Sequence, residues 1–171
     1  MNPRKNKTVK PNREYINNDA FHKALLEYNH ELSCVENPRS VRVPDFIGEC
    51  IILIANNACN YYSFAKYPFR DEMIGDAVEN CISGLPNFDP IKFSNPFGYF
   101  TMICTRAFIR RIQKEKKYLY TKYKSIQRNF LDTDNPNVQQ YGSDYATENM
   151  NEFVDKFELS QSKAREKKEQ K

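Results

Sequence analysis

One segment of the chain, residues 99–135, contains neither glycine nor proline. These two residues interrupt α-helices, glycine because of its backbone freedom and proline because it lacks an amide donor. Just before this segment Asn95 is followed by Pro96, a pair that suits a helix start because asparagine caps free amides and proline fits the first turn. The sequence therefore predicts a long helix that begins at Pro96 and continues through Tyr123 or beyond.

Three earlier segments carry apolar residues at the three-to-four spacing of amphipathic helices. They cover residues 19–36, roughly 45–62, and 70–85. The second segment is apolar on several faces, which is typical of a helix at the centre of a core. No segment competes with these as a strand. We therefore expect an all-α fold, a compact helical domain with flexible termini.

The two ends of the chain differ in composition from its middle. Residues 1–18 combine basic residues with prolines and asparagines, which predicts a flexible basic arm ahead of a helical domain at 19–130. Residues 131–148 are rich in Asn, Asp and Gln and indicate a linker. Residues 149–171 are then expected to form a C-terminal interaction segment with a charged tail.

The overall composition narrows the class of protein. Hydrophobic residues make up 40% of the chain and charged residues 28%, which is ordinary for a soluble globular protein. The polar N-terminus lacks the apolar block of a secretory signal, and the mean hydropathy is negative, so we expect a cytoplasmic protein that makes no membrane contact. The five cysteines are odd in number and lie mostly in apolar stretches, which favours buried, reduced thiols.

The sequence offers little support for a metal site, a cofactor site or a catalytic centre. His22 and His30 lack a neighbouring Cys-x-x-Cys pair or acidic cluster that would complete a metal site. The carboxylates Glu72, Asp76 and Asp89 form no paired metal-binding constellation, and the chain has no glycine-rich phosphate loop. We expect a protein that is not an enzyme and uses no cofactor, with a nucleic-acid enzyme as a less favoured alternative.

The long helix divides into two stripes when its residues are placed at about 100° per residue. The stripe expected to pack inward contains Phe97, Phe100, Cys104, Ala107, Phe108 and Ile112, with Ile103 on its border. The other side carries cations together with aromatic and apolar groups, a mixture that can neutralise phosphates and support unstacked bases. A solvated helix face is the alternative interpretation. The candidate DNA-binding residues are Tyr99, Met102, Ile103, Arg106, Arg110, Gln113, Lys114 and Lys117.

Residues 72–117, EMIGDAVENCISGLPNFDPIKFSNPFGYFTMICTRAFIRRIQKEKK, resemble region 2 of the sigma-70 family, especially the T-even-type phage late-transcription sigma factors. The residues that resemble the helix-ending turn of the family are Gly84, Leu85, Asn87, Phe88 and Asp89. Those that resemble its DNA-reading helix are Tyr99, Thr101, Arg106, Ala107, Phe108 and Ile112. The resemblance, weaker back to about Phe21, implies a sigma factor that directs bacterial core RNA polymerase to late promoters in the cytoplasm of an infected host.

The resemblance also implies roles for particular residues. The positions that match contacts to the clamp helices of the largest polymerase subunit are Glu72, Asp76, Glu79 and Ile82. Gly75 and Val78 depart from that pattern, because cellular sigma factors commonly carry polar residues there. Met102 and Ile103 stand where those factors carry a tryptophan pair that wedges a minus-ten-like promoter element, and this chain has no tryptophan. Melting is therefore expected to depend on partners, such as a coactivator, or on A/T-rich DNA.

The C-terminal segment NEFVDKFEL carries a further candidate contact. In the resembling phage family a short acidic and aromatic C-terminal motif attaches the protein to the DNA sliding clamp. Phe153, Val154 and Phe157 would form one apolar ridge if helical, although a terminal helix that packs on its own domain has the same pattern. The residues after Tyr123 supply no helix-turn-helix domain. A polymerase-binding adaptor or inhibitor without DNA recognition remains the principal alternative.

Overall fold

A computed structural model of the chain describes residues 16–36, 41–61, 63–131 and 144–170. Within those ranges the ordered elements are helices and turns, without a strand, so the prediction of an all-α fold is confirmed. The elements are α1 (Asn18–Ser33), α2 (Asp45–Cys59), α3 (Arg70–Gly84), a 3₁₀ turn (Leu85–Asn87), α4 (Pro96–Leu131) and α5 (Asp144–Glu169). The long helix thus begins at the predicted residue.

The structure describes only part of the segments that the sequence assigned to a basic arm and a linker, and it describes most of the charged tail. Residues 1–15 of the expected basic arm and 132–143 of the expected linker lie outside the described residues. Residues 144–148, also assigned to the linker, are the first residues of α5. The charged tail is helical as far as Glu169. The sequence did not predict these parts of α5 as helix, because their polar residues lack the apolar spacing on which the other helix assignments depended.

The chain divides into two compact units, Met1–Arg111 and Ile112–Lys171. In the first unit α2 packs against both α1 and α3, as expected of the most apolar helix. The fully buried side chains of this core include Phe21, Ile47, Ile51, Ile54, Met73, Phe88, Phe100 and Phe108. The Phe21 and Phe100 rings lie 5.6 Å apart, so α1 contacts the first part of α4 in the core.

Asparagines fix the starts of two helices in the first unit. Asn17 Oδ1 accepts hydrogen bonds from the amides of Asp19 and Ala20 at the start of α1. Asn95 Oδ1 accepts a hydrogen bond from the Gly98 amide at 3.0 Å, as the sequence predicted for the start of α4. The Phe97 amide donates to Asn18 Oδ1 at 3.3 Å, which also ties the start of α4 to the start of α1.

Two residues expected to be buried are exposed. Phe97 lies in the first turn of α4 and is exposed, because Phe100, one turn later, takes the buried position. Cys34 is exposed because it caps the end of α1, beyond Tyr28, the last buried residue of that helix. The other four cysteines are buried free thiols, as predicted.

The second unit is an antiparallel hairpin of the last part of α4 and α5. The Tyr120 ring stacks on Phe157 at 4.6 Å, and Tyr123 contacts Phe153 edge-on at 5.6 Å. Residue numbers therefore rise along α4 as they fall along α5. Toward the end of α4, Gln127 donates a hydrogen bond to the side chain of Asn151.

Candidate nucleic-acid interface

The candidate interface of the first unit is built on α3 and α4, which are joined by a buried contact between two thiols. Cys81 Sγ lies 3.5 Å from Cys104 Sγ and 3.8 Å from the carbonyl oxygen of Phe100. The hydrogen bond to Cys104, together with burial, raises the pKa of the Cys81 thiol. This contact holds α3 and α4 together in the core.

A polar cluster also connects the two helices. Asp76 on α3 accepts hydrogen bonds from Nε and Nη2 of Arg111 at 2.7 and 2.8 Å, which makes a bidentate ion pair. Next to it, Arg110 Nη2 donates to Asn80 Oδ1 at 2.6 Å. Asp76 and Arg110, both predicted to contact macromolecules, are therefore engaged within the protein. Sequence reasoning missed Arg111, because no local signal links residues so far apart in the chain.

The exposed face of α3 carries the other three residues predicted to contact polymerase. Glu72, Glu79 and Ile82 are all exposed, and their spacing places them on one side of the helix. Gly75 lies on the same side, with no atom within 4 Å of the place where its Cβ would be. Asp76 is turned from this face toward α4. The result is an acidic strip that ends in an apolar side chain.

The exposed side of α4 in the first unit forms a ridge, which we define as Met102, Arg106 and Ile109. Their i, i+4 and i+7 positions place them along one side of the helix. Met102 is 48% exposed, and Arg106 forms no ion pair or side-chain hydrogen bond with the residues that the structure describes. Ile109 was not singled out in the sequence, although its offset from Met102 was a usable signal. The ridge combines a free cation with two apolar side chains.

Tyr99 and Ile103 lie apart from this ridge, beneath the turn that ends α3. The Tyr99 ring packs 4.9 Å from Phe88, and its hydroxyl donates to the carbonyl of Gly84 at 3.4 Å. Ile103 Cδ1 lies 3.1 Å from the place where a Cβ on Gly84 would be. Both side chains are half-buried. Their position supports the turn and leaves less of their surface available to a base.

The loop between α3 and α4 is held by two side chains of α1 and by one of its own. His22 Nε2 lies 2.8 Å from the carbonyl oxygen of Pro90, and Asn29 Nδ2 donates to that of Phe88 at 3.3 Å. The hydrogen bond from Lys92 lowers the pKa of Asp89, which also accepts from two backbone amides of the loop.

Two apolar side chains of this anchored loop are exposed, although the ring of Phe93 also lies 6.4 Å from that of Phe88. Ile91 is 88% exposed and Phe93 is 56% exposed. Sequence reasoning did not single out either residue. Their exposure, in a loop whose backbone is fixed, makes them available to a partner without a change in the core.

The second unit contains the remaining candidates. Gln113, Lys114 and Lys117 are exposed on α4. The apolar side chains predicted to bind a sliding clamp are packed inside the hairpin, since Phe153 and Phe157 contact Tyr123 and Tyr120. The candidate between them, Val154, is 1% exposed.

Glu158 strengthens the same packing from the edge of the hairpin. Its carboxylate accepts hydrogen bonds from Lys124 Nζ and the Tyr120 hydroxyl, both at 2.9 Å. These two donors lower the pKa of Glu158. The arrangement corresponds to the alternative in which a terminal helix packs on its own chain.

Within the described ranges no group of three or more His, Cys, Asp and Glu side chains is arranged to hold a metal ion. None of the described helices is both long and apolar enough to span a membrane.

No family model matches the chain, and no curated protein matches it at a significant level.

Proposed function

We propose that this protein is a sigma factor of the phage late-transcription type, which docks on bacterial core RNA polymerase and helps to open promoter DNA. The observation that carries the proposal is the ridge of Met102, Arg106 and Ile109, exposed on a helix that the core and the α3 contacts hold in place. A cation flanked by apolar side chains suits a DNA strand that is losing its partner.

The exposed face of α3 supports the polymerase half of the proposal. Glu72 and Glu79 present carboxylates that pair with cations of a partner, and Ile82 adds an apolar contact at the end of the strip. Asp76 acts here by holding Arg111 and so fixing α3 against α4. The polymerase contact is therefore made by a rigid surface.

In the proposed mechanism the ridge of α4 acts on the minus-ten-like element. Arg106 neutralises a phosphate, while Met102 enters between base steps as apolar wedges do in DNA-kinking proteins. A methionine offers less stacking surface than an indole ring. Opening then depends on A/T-rich DNA, and promoters rich in G and C at this element are expected to initiate poorly.

The test is in vitro transcription with core RNA polymerase and a panel of A/T-rich minus-ten promoters. Arg106→Glu is expected to abolish promoter-specific initiation while binding to core polymerase is unchanged. Lys23→Glu, which makes the same charge change at an exposed position of α1, is the matched control and should retain initiation. Initiation that survives Arg106→Glu would contradict the DNA role of the ridge. Binding to polymerase without initiation by the wild-type protein would favour an adaptor or inhibitor.

Contact with a sliding clamp is a separate part of the proposal and requires Phe153 and Phe157 to leave Tyr123 and Tyr120. Tyr120→Ala weakens the hairpin but leaves Phe153, Val154 and Phe157 in place, so it should increase clamp-dependent transcription. Phe157→Ala weakens the hairpin and also removes one of those three side chains, so it should abolish that stimulation. Equal losses in both variants would show that the clamp recognises the intact hairpin and not the released apolar side chains.

A further inference from the structure

The hairpin of the second unit brings together two basic segments that are distant in the sequence. Tyr120 lies opposite Phe157, and Tyr123 lies opposite Phe153. Both helices rise about 1.5 Å per residue, so the same antiparallel register places Lys114–Lys117 of α4 level with about residues 160–163 of α5, and Lys163 level with Lys114.

Cations dominate this end of the hairpin, which we call the basic end. Its basic residues are Lys114, Lys116, Lys117, Lys163, Arg165, Lys167 and Lys168, and all seven are exposed. The carboxylates interspersed with them are Glu115, Glu166 and Glu169. Nearer the start of α5 the balance reverses, since Glu148, Glu152 and Asp155 are exposed there. Helix α5 is therefore polarised in charge along its length.

Two cations outside the basic end are paired with carboxylates, whereas three within it are not. Lys124 binds Glu158 at 2.9 Å, and Lys156 binds Glu152 one turn away. Lys163, Lys167 and Lys168 form no ion pair with the residues that the structure describes. Neighbouring like charges repel one another, and an anionic partner relieves that repulsion.

We propose that the basic end of the hairpin binds the phosphate backbone of duplex DNA without reading its sequence. A line of phosphates offers regularly spaced charges, and each cation that neutralises one of them releases condensed counterions. The inference goes beyond the proposed function, because such binding needs neither a promoter nor a polymerase. It would hold duplex DNA near a protein whose net charge of +4 gives only modest attraction overall.

The experiment measures binding of the full chain to a fluorescent duplex of arbitrary sequence, about 30 base pairs long, by anisotropy between about 50 and 200 mM salt. The test variant carries Lys163→Gln, Lys167→Gln and Lys168→Gln. We expect its affinity at the lowest salt to fall roughly tenfold, and its slope of log K against log salt to shrink by about 2 to 3. Circular dichroism checks that α5 is still formed.

The matched control carries Lys122→Gln, Arg128→Gln and Lys156→Gln, three exposed cations of the same two helices that lie outside the basic end. The net charge changes equally, so equal losses in the two variants, or no loss in either, would overturn the proposal. Polyglutamate that displaces the duplex as well as unlabelled DNA does, at equal charge concentration, would overturn the assignment to nucleic acid. Initiation by Arg106→Glu is scored separately, so failure of the proposed function remains distinguishable.

Discussion

The ion pair between Asp76 and Arg111 gives both residues a role that neither has in the sequence alone. The two side chains are 32% and 18% exposed, so water screens the pair less than a pair on the open surface. The bidentate geometry adds two charge-assisted hydrogen bonds. At the scale of the residue, Asp76 is therefore a structural link between α3 and α4, whereas Glu72 and Glu79 keep their carboxylates free for a partner.

The Asp76→Ala substitution is expected to lower the free energy of unfolding by about 1 to 3 kcal/mol, because it removes two charge-assisted hydrogen bonds of a partly buried ion pair. Glu79→Ala, on the exposed side of the same helix, should change it by less than about 0.5 kcal/mol. Urea denaturation followed by circular dichroism measures both. Equal effects of the two substitutions would contradict the structural role of Asp76.

The hairpin formed by the last part of α4 and α5 depends on a few specific contacts. The aromatic pairs Tyr120 with Phe157 and Tyr123 with Phe153 close its apolar side, and Glu158 adds a polar contact to Lys124. Aromatic pairs of this kind contribute about 0.5 to 1.5 kcal/mol beyond their buried area. At the scale of the element, α5 is held by its side chains and not by a continuous buried core.

The hairpin should lose stability in acid through Glu158. Because hydrogen bonds from Lys124 and Tyr120 lower the pKa of Glu158 in the folded state, its ionised form stabilises the hairpin. That contribution is fully present above the unfolded pKa, about 4.3, and is lost as the pH falls through the lower, folded pKa. The melting temperature of wild type should therefore exceed that of Glu158→Gln at pH 7, and the difference should shrink below about pH 4.

Glu166→Gln provides the comparison for this pH series. Glu166 lies on the same helix, is exposed, and forms no ion pair with the described residues. Its substitution should leave a small difference in melting temperature that does not follow the same pH dependence. A constant difference between wild type and Glu158→Gln from pH 7 to pH 3 would show that the Glu158 contact does not stabilise the hairpin in solution.

At the scale of the whole molecule, the five thiols differ in burial according to their place in the fold. Cys50, Cys59, Cys81 and Cys104 are buried in the first unit, and Cys34 is exposed at the end of α1. Burial also raises the pKa of Cys50, which disfavours the reactive thiolate. Burial therefore limits access to the four core thiols, and at Cys50 it disfavours ionisation as well.

A thiol titration with a chromogenic disulfide reagent should find one fast-reacting group in the native protein and five in denaturant. Cys34→Ser should remove the fast phase and leave the four slow thiols unchanged. A second fast thiol in the native protein would mean that the core of the first unit opens more readily than its packing indicates.

The sequence by itself determined the class of fold and the starts of the first four helices, because these depend on local chemistry. Apolar spacing gave the helices, and the Asn95–Pro96 pair gave the start of α4. The polar start of α5 has no such spacing, so it was assigned to a linker. The exposed positions of Met102 and Arg106 also followed from helical periodicity, since a core on one side of a helix leaves the opposite side in solvent.

Only the tertiary structure decided which candidate residues remain available to a partner. Asp76 meets Arg111, Tyr99 packs under the turn after α3, and Phe157 stacks on Tyr120. Each contact joins residues that are distant in the chain, so no local spacing could reveal it. The clustering of cations at the basic end has the same origin, because the antiparallel return of the chain sets Lys163 level with Lys114. Side-chain chemistry is local, but its availability depends on what the fold places next to it.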